Sequence, residues 1–332
     1  METLFLVIGL LLSFIMAMNI GGNDAANPTS VAVGSGIISL KKALLLFAIF
    51  TITGALLQGH MVMKTIGRGV VSEIDITGAF LIVLSANIWI FFATMKGMAI
   101  STTHSIVSAV VGYGLFKYGL YGINFNVVST ILISWITSPL CSFLLSILFF
   151  NFFKIIIKSK SSITIEKIFK IMIVFSLAFS AYSFGANDVA NASGVYVTIA
   201  SKLGNIPDLN AMFILALFSS LGIILGGLIF GPRVIRTLAF RITRLDLVSA
   251  LAAGLANAFV VYLFTVIPYI LFGYGMPIST SYAAVGAILG AGSVRKSINK
   301  IITLKLFSYW ILTVPFNIFL TISLLWLFNV LL

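Results

Sequence analysis

A carboxylate in the middle of a stretch built for lipid restricts this chain more than any other feature. Asp188 is the only residue between Ile171 and Ala200 that is charged at neutral pH. A charged side chain at such depth costs about 2.5–3.5 kcal/mol on insertion scales, and it usually faces a cavity, a partner or an ion path. It lies in Gly185-Ala-Asn-Asp-Val-Ala-Asn-Ala-Ser-Gly194. That stretch has a twin, Gly21-Gly-Asn-Asp-Ala-Ala-Asn-Pro-Thr-Ser30, in which Asp24 is equally isolated. Asn and Asp can tie membrane helices together as simple hydrogen-bonding glue. That reading serves for one such motif; two in matching frames, one in each half, point to a site.

The surroundings of the motifs set the class. Apolar runs long enough to cross a bilayer recur along all 332 residues, of which 60% are hydrophobic and only 8% charged. The chain therefore reads as an all-α, polytopic membrane protein. About ten segments are expected: 3–40, 43–63, 79–95, 98–116, 124–150, 171–200, 209–231, 247–270, 276–294 and 302–331. The first and sixth exceed one span. Each is expected to break near the midplane at its Asn-Asp motif, where Gly, Asn and Pro28 disfavour continuous helix. The fourth and ninth are short and rich in Ser, Thr and Gly, and read equally as broken spans or re-entrant hairpins. Residues 3–18 have the hydropathy of a signal peptide but no preceding Lys or Arg, and their counterpart before the second motif is internal, so they are expected to be a span. Cys141 is alone, which leaves no disulfide framework or zinc cluster.

The net charge of +12 suggests orientation rather than a nucleic-acid partner. If each segment crosses once, one side receives Lys41, Lys42, Lys96, Lys154, Lys158, Lys160, Lys167, Lys170, Arg233, Arg236, Arg241, Arg244, Arg295, Lys296, Lys300 and Lys305, which is 16 of the 20 basic residues. Lys64, Arg68, Lys117 and Lys202 fall on the other. The rich side is expected to be cytoplasmic and both termini outside. Five crossings per half give the halves opposite orientations. The expected organisation is a first inverted repeat over 1–150, a cytoplasmic linker over 151–170 with the character of a surface amphipathic helix, and a second inverted repeat over 171–332. A second duplicated motif supports the repeat: Met98-Ala-Ile-Ser-Thr-Thr-His104 and Met276-Pro-Ile-Ser-Thr-Ser-Tyr282. Inverted repeats with broken helices at the midplane are the usual design of secondary transporters.

The duplicated residues are suited to ions. Asn amides, Asp carboxylates and carbonyls freed by a broken helix are hard oxygen donors for Na⁺ or a proton. Freed N–H groups at the next half-helix suit an anion. Three adjacent hydroxyls cannot share one helix face; Ser101-Thr102-Thr103 and Ser279-Thr280-Ser281 suggest helix starts, where a hydroxyl caps the first turn. Together they would line an oxyanion site without a fixed cation. Alone, either triplet reads as hydroxyls bonded back to their own helix. His104 has no counterpart in the second copy, where Tyr282 stands, and receives no proton role. Gly222 with Gly226, and Gly286 with Gly290, fit close helix packing. The Arg-rich loop 233–244 reads as an orientation signal, and Glu73 and Asp75 as solvated loop residues.

Gly-Ala-Asn-Asp-Val-Ala-Asn, paired with the upstream Gly-Asn-Asp-Ala-Ala-Asn and two Ile-Ser-Thr elements, resembles the inorganic phosphate transporter family over nearly the whole chain. The resemblance implies secondary active uptake of phosphate coupled to Na⁺ or H⁺, in the cell membrane, with no cofactor and no enzyme activity. It implies phosphate and cation roles for Asn23, Asp24, Asn27, Asn187, Asp188 and Asn191, and phosphate contacts for Ser101, Thr102, Thr103, Ser279, Thr280 and Ser281. Tyr282 and Ala99 depart from the family pattern. The expected partners are phosphate, the coupling ion, membrane lipid and a second copy of the chain, with no nucleic acid. A sulfate or other oxyanion permease on the same fold is the nearest alternative, and a passive anion channel another. An aspartyl intramembrane protease needs a Gly-x-Gly-Asp element, which is absent, and the symmetry of the Asn-Asp pair suits binding better than catalysis.

Overall fold

The computed structural model describes residues 2–159, 163–203 and 209–331. Lys160 with the centre of the expected linker lies outside them, as do the side chains of Arg68, Lys158 and Lys202. The described residues are helical apart from turns, extended connections and one bridge between Val71 and Ile123. Eight helices are long and apolar enough to cross a membrane.

The first crossing is made by α1 (Glu2–Asp24) and α2 (Ala26–Gly34), which part at Ala25. Pro28 has no N–H to return to the Asp24 carbonyl, which is why the break falls there. Then come α3 (Leu40–Gln58), the short α4 (His60–Lys64) and α5 (Ile76–Met95). Next are α6 (Thr102–Tyr118), α7 (Phe125–Ser159) and α8 (Ile163–Leu203). The second motif lies inside α8, which runs through it unbroken. The expected break in the sixth segment is therefore corrected: Ala192 stands where Pro28 stands in the first copy, so no backbone donor is lost. The chain continues with α9 (Leu209–Ile229), α10 (Gly231–Phe240), α11 (Leu247–Phe272), α12 (Thr280–Val294) and α13 (Lys300–Leu331).

Helix is also interrupted in both halves by extended backbone, before α6 and before α12. Each interruption opens at a glycine with positive φ, Gly97 (66°) and Gly273 (78°), a conformation that lets a helix end and the chain turn back. Extended backbone then leads to Ser101 and Ser279. The fourth and ninth segments are thus broken spans rather than hairpins. Added to the eight long helices, they complete five crossings per half.

Side-chain pairs fix the directions. Asn19 bonds Asn87 and Asn23 bonds Thr94, so α1 and α5 are parallel. The end of α13 meets Asp75, Tyr113 and Lys117 around one small cleft, on the face where α1 begins. Lys167 and Lys170 meet Ile37 and Leu46 on the opposite face. There Arg295 pairs with Asp246, and the Asn299 N–H reaches Ile242 O. That face gathers the basic cluster, and the start of α1 and the end of α13 lie on the other.

The two halves interlock. A methyl at Gly226 would collide with Met18 O, and methyls at Gly286 and Gly290 with Pro139 O and Phe143 O. These glycines let α9 close on α1 and α12 close on α7. Two expectations change. Residues 151–159 and 163–170 extend α7 and α8 rather than forming a separate surface helix; the amphipathic helix of the basic face is α10, which buries Val234, Ile235 and Leu238 and exposes Arg233 and Arg236. Asp75 is not merely solvated: it caps α5 through the Gly78 N–H (2.6 Å) and pairs with Lys117 (3.4 Å).

Candidate functional site

The two extended segments need partners for their backbone groups, because lipid supplies none. Asn23 and Asn187 provide them. Asn23 Nδ2 donates to Thr94 Oγ1 and Met98 O (both 2.9 Å), and the Ile100 N–H donates to Asn23 Oδ1 (3.0 Å). Asn187 Nδ2 donates to Thr265 Oγ1 (2.7 Å) and Met276 O (2.8 Å). The first Asn of each motif therefore fixes the strand-like approach to a half-helix.

Ser101 and Ser279 then start those helices. The Ser101 hydroxyl accepts from the His104 N–H (3.0 Å), and that of Ser279 from the Tyr282 N–H (3.2 Å). These are N-caps, each satisfying one of the helix's orphan donors. The positive ends of α6 and α12 point at one another across the pseudo-twofold, with both carboxylates between them.

The remaining hydroxyls bond crosswise. Asp24 accepts from Thr102 on α6 (2.7 Å) and from Ser281 on α12 (2.7 Å). Asp188 accepts from Thr280 on α12 (2.6 Å), with Thr103 of α6 at 3.3 Å. The Thr103 hydroxyl shares its single hydrogen between Asp188 and Ile278 O, at 2.8 Å. Asn191 donates to Asp188 (2.6 Å) and to Thr103 (2.9 Å). Asn27 donates to Thr280 (3.2 Å) and Ser281 (3.1 Å). Each carboxylate thus hangs from both repeats.

All twelve residues expected from the duplicated motifs meet here, each at most 2% exposed. The constellation holds two carboxylates, hydroxyls and amides, and no Lys or Arg. Asn187 Oδ1 and Asn191 Oδ1 are buried with no hydrogen-bond partner among the described residues, so they remain free as hard oxygen donors. The cluster is buried and rich in oxygen: carboxylate and amide oxygens are of the kind that ligate small cations, and the hydroxyl and N–H donors are of the kind that an anion takes once the carboxylates are neutralised.

Reasoning from the motifs missed several supports. Thr94 and Thr265 orient the two clamping Asn residues. Asn257 on α11 donates to Asn27 O (3.3 Å) and Ser180 Oγ (2.8 Å). Two indoles, Trp135 and Trp310, reach the extended segments. The sequence carries a weaker signal for them, a Trp-Ile pair near a Pro in each half, with Pro139 four residues after Trp135 and Pro315 five after Trp310.

The chain is similar to known proteins along most of its length. The sequence profile of the phosphate transporter family matches residues 20–321. A protein of Pyrococcus horikoshii named "Putative phosphate permease" is 30% identical over 94% of each chain. One of the same name from Helicobacter pylori is 28% identical over 90% of this chain and 70% of its own. A solved structure titled "The sodium-dependent phosphate transporter" superposes with a TM-score of 0.87 at 26% identity, covering 99% of this chain and all of the other.

Proposed function

The chain belongs to the phosphate transporter family, and we propose that it imports inorganic phosphate across the cell membrane by symport with Na⁺, its basic face cytoplasmic and both termini outside. The observation that carries this reading is the crosswise bonding of Asp24 and Asp188 to hydroxyls at the starts of both half-helices. A hydroxyl has one hydrogen to give. While it points at a carboxylate it is not available to a phosphate oxygen. A cation that takes the carboxylate as its ligand removes the competing acceptor and releases the hydroxyl to the anion. Cation and phosphate then bind better together than apart, which is the requirement for symport.

Energetics asks for the same coupling. Moving one charge costs about 2.3 kcal/mol per 100 mV, so a dianion entering an inside-negative cell faces about twice that, and two or more cations offset it. The two unpartnered amide oxygens beside Asp188 suit Na⁺, a hard cation that takes oxygen ligands, and a neighbour titled sodium-dependent adds support. Proton coupling is the second reading, favoured by the presence of two buried carboxylates in one constellation.

In this reading Asp24, Asn27, Asp188, Asn191 and the free oxygen of Asn187 serve the cations. Thr102, Thr103, Thr280 and Ser281 serve phosphate. Asn23, Ser101 and Ser279, with the amide nitrogen of Asn187, hold the two half-helix starts in place. The test is uptake of labelled phosphate and labelled sulfate into proteoliposomes with Na⁺ and proton gradients imposed separately. Phosphate accumulation that follows Na⁺ supports the proposal. Accumulation driven only by the proton gradient moves it to H⁺, sulfate preference moves it to the oxyanion alternative, and equilibration without accumulation makes the protein a channel.

A further inference from the structure

A second crosswise arrangement lies one layer out from the carboxylates. His104 and Tyr282 occupy the same place in the two duplicated motifs and meet edge to face, with ring centroids 4.4 Å apart. Trp135 of α7 stacks on His104 (3.5 Å between centroids), and Trp310 of α13 stacks on Tyr282 (3.7 Å). Each Trp thus leans on the half-helix of its own repeat. Their N–H groups go elsewhere. Trp310 Nε1 donates to Ala99 O (3.0 Å) and Trp135 Nε1 lies 3.4 Å from Pro277 O. Ala99 and Pro277 are again equivalent positions, each two residues before a capping serine. The stack stays within a repeat and the hydrogen bond crosses to the other.

We propose that Trp135 and Trp310 are positioning residues for the anion-binding hydroxyls, each latching the extended segment of the opposite repeat. The inference rests on the phosphate-uptake reading above. The extended segments have no helical hydrogen-bond ladder of their own; their backbone groups are held by Asn23 or Asn187 on one side and an indole on the other. Two residues beyond each held carbonyl, the chain delivers the serine cap and then the threonine that faces Asp24 or Asp188. Release of Ala99 O lets the start of α6 move away from the carboxylates, and release of Pro277 O does the same for α12. A buried carbonyl left without its donor is costly, so each indole also favours the closed placement over any displaced one.

Trp310→Phe and Trp135→Phe keep an aromatic ring for stacking and remove the N–H. In proteoliposomes with Na⁺ saturating, Trp310→Phe is expected to raise KM for phosphate about three- to tenfold, the effect of one hydrogen bond. Trp135→Phe, whose contact is longer, is expected to raise it less. Benzothienylalanine at the same positions keeps the bicyclic shape and replaces the N–H by sulfur, so it reproduces the effect in a protein packed like wild type. The decisive readout is crossed coupling. Trp310→Phe combined with Thr102→Val is expected to be non-additive in KM, as is Trp135→Phe with Thr280→Val, because each pair acts on one segment. Trp310→Phe with Thr280→Val is expected to be additive. Unchanged KM with benzothienylalanine at both sites overturns the proposal, as does coupling that follows the stacking partner instead. Wild type that accumulates sulfate in place of phosphate corrects the functional reading, and the same comparison then decides the positioning role with sulfate as the anion.

Discussion

Removing the hydroxyl of Thr102 or Thr280 separates release of a donor from direct cation binding, because the two give effects of opposite sign. Valine matches threonine in shape and suits an apolar surround, so Thr102→Val and Thr280→Val are expected to fold and insert. Thr280 Oγ1 lies 2.6 Å from Asp188 Oδ2, and Thr102 Oγ1 lies 2.7 Å from Asp24 Oδ2. A hydrogen bond to a charged acceptor contributes about 1.5–3 kcal/mol. With Na⁺ saturating, the carboxylate is already engaged and the hydroxyl's work is for phosphate. Its loss should then raise KM for phosphate about 10- to 150-fold. Without phosphate, the hydroxyl competes with Na⁺ for the carboxylate, so its loss should tighten Na⁺ binding, by up to a similar factor. The assay pairs phosphate uptake at saturating Na⁺ with binding of labelled Na⁺ to purified protein in phosphate-free buffer. Weakened Na⁺ binding in both variants would refute the reasoning, since the hydroxyl would then be a ligand of the cation rather than its competitor.

Three further outcomes are expected. Phosphate near neutral pH keeps a proton that sulfate lacks, and a carboxylate oxygen not taken by the cation accepts that hydrogen bond but has no donor to offer sulfate; Asp24→Asn or Asp188→Asn, whose amide adds a donor, should therefore in at least one case narrow the ratio of phosphate to sulfate affinity. An unchanged ratio in both variants would assign selectivity to other groups. On a Cys141→Ser background, single cysteines beside either chain end should react with an impermeant reagent from outside, and one at Lys154 only from inside; labelling of an end from the cytoplasm reverses the orientation. Gly226→Val drives a side chain into Met18 O where α9 meets α1, and overpacking of this kind costs about 1–3 kcal/mol, so the thermal midpoint in detergent should fall; an unchanged midpoint contradicts the close contact.

The membrane class, the inverted halves and the residues of the cluster were legible because duplication marks them twice. An isolated Asp24 is ambiguous, whereas Asp24 with Asp188 in a matching frame is not. What stayed hidden depends on rotation about helix axes, which sequence spacing does not report. Thr102 faces Asp24 while its neighbour Thr103 faces Asp188, because successive residues on a helix point about 100° apart. The unbroken α8 was missed because the shared Asn-Asp motif outweighed the one difference that decides the matter, Ala192 for Pro28. Trp135 and Trp310 stand in apolar runs, where an indole reads as lipid-facing until its N–H is seen to have a partner. Asp75 reads as loop until the Gly78 N–H is placed on it.

The crosswise bonding of the two carboxylates bears on how much of this protein must be one molecule. Residues 1–159 alone carry Asp24 but lack Ser281, and residues 163–332 alone carry Asp188 but lack Thr103. Neither piece can finish the cluster, and two copies of one piece could do so only if inserted in opposite senses. Joining the two pieces in one polypeptide guarantees equal numbers and opposed insertion. Cells making the two pieces as separate chains should therefore recover phosphate accumulation that neither piece gives alone, provided the lysines and arginines of each still set its own direction across the bilayer.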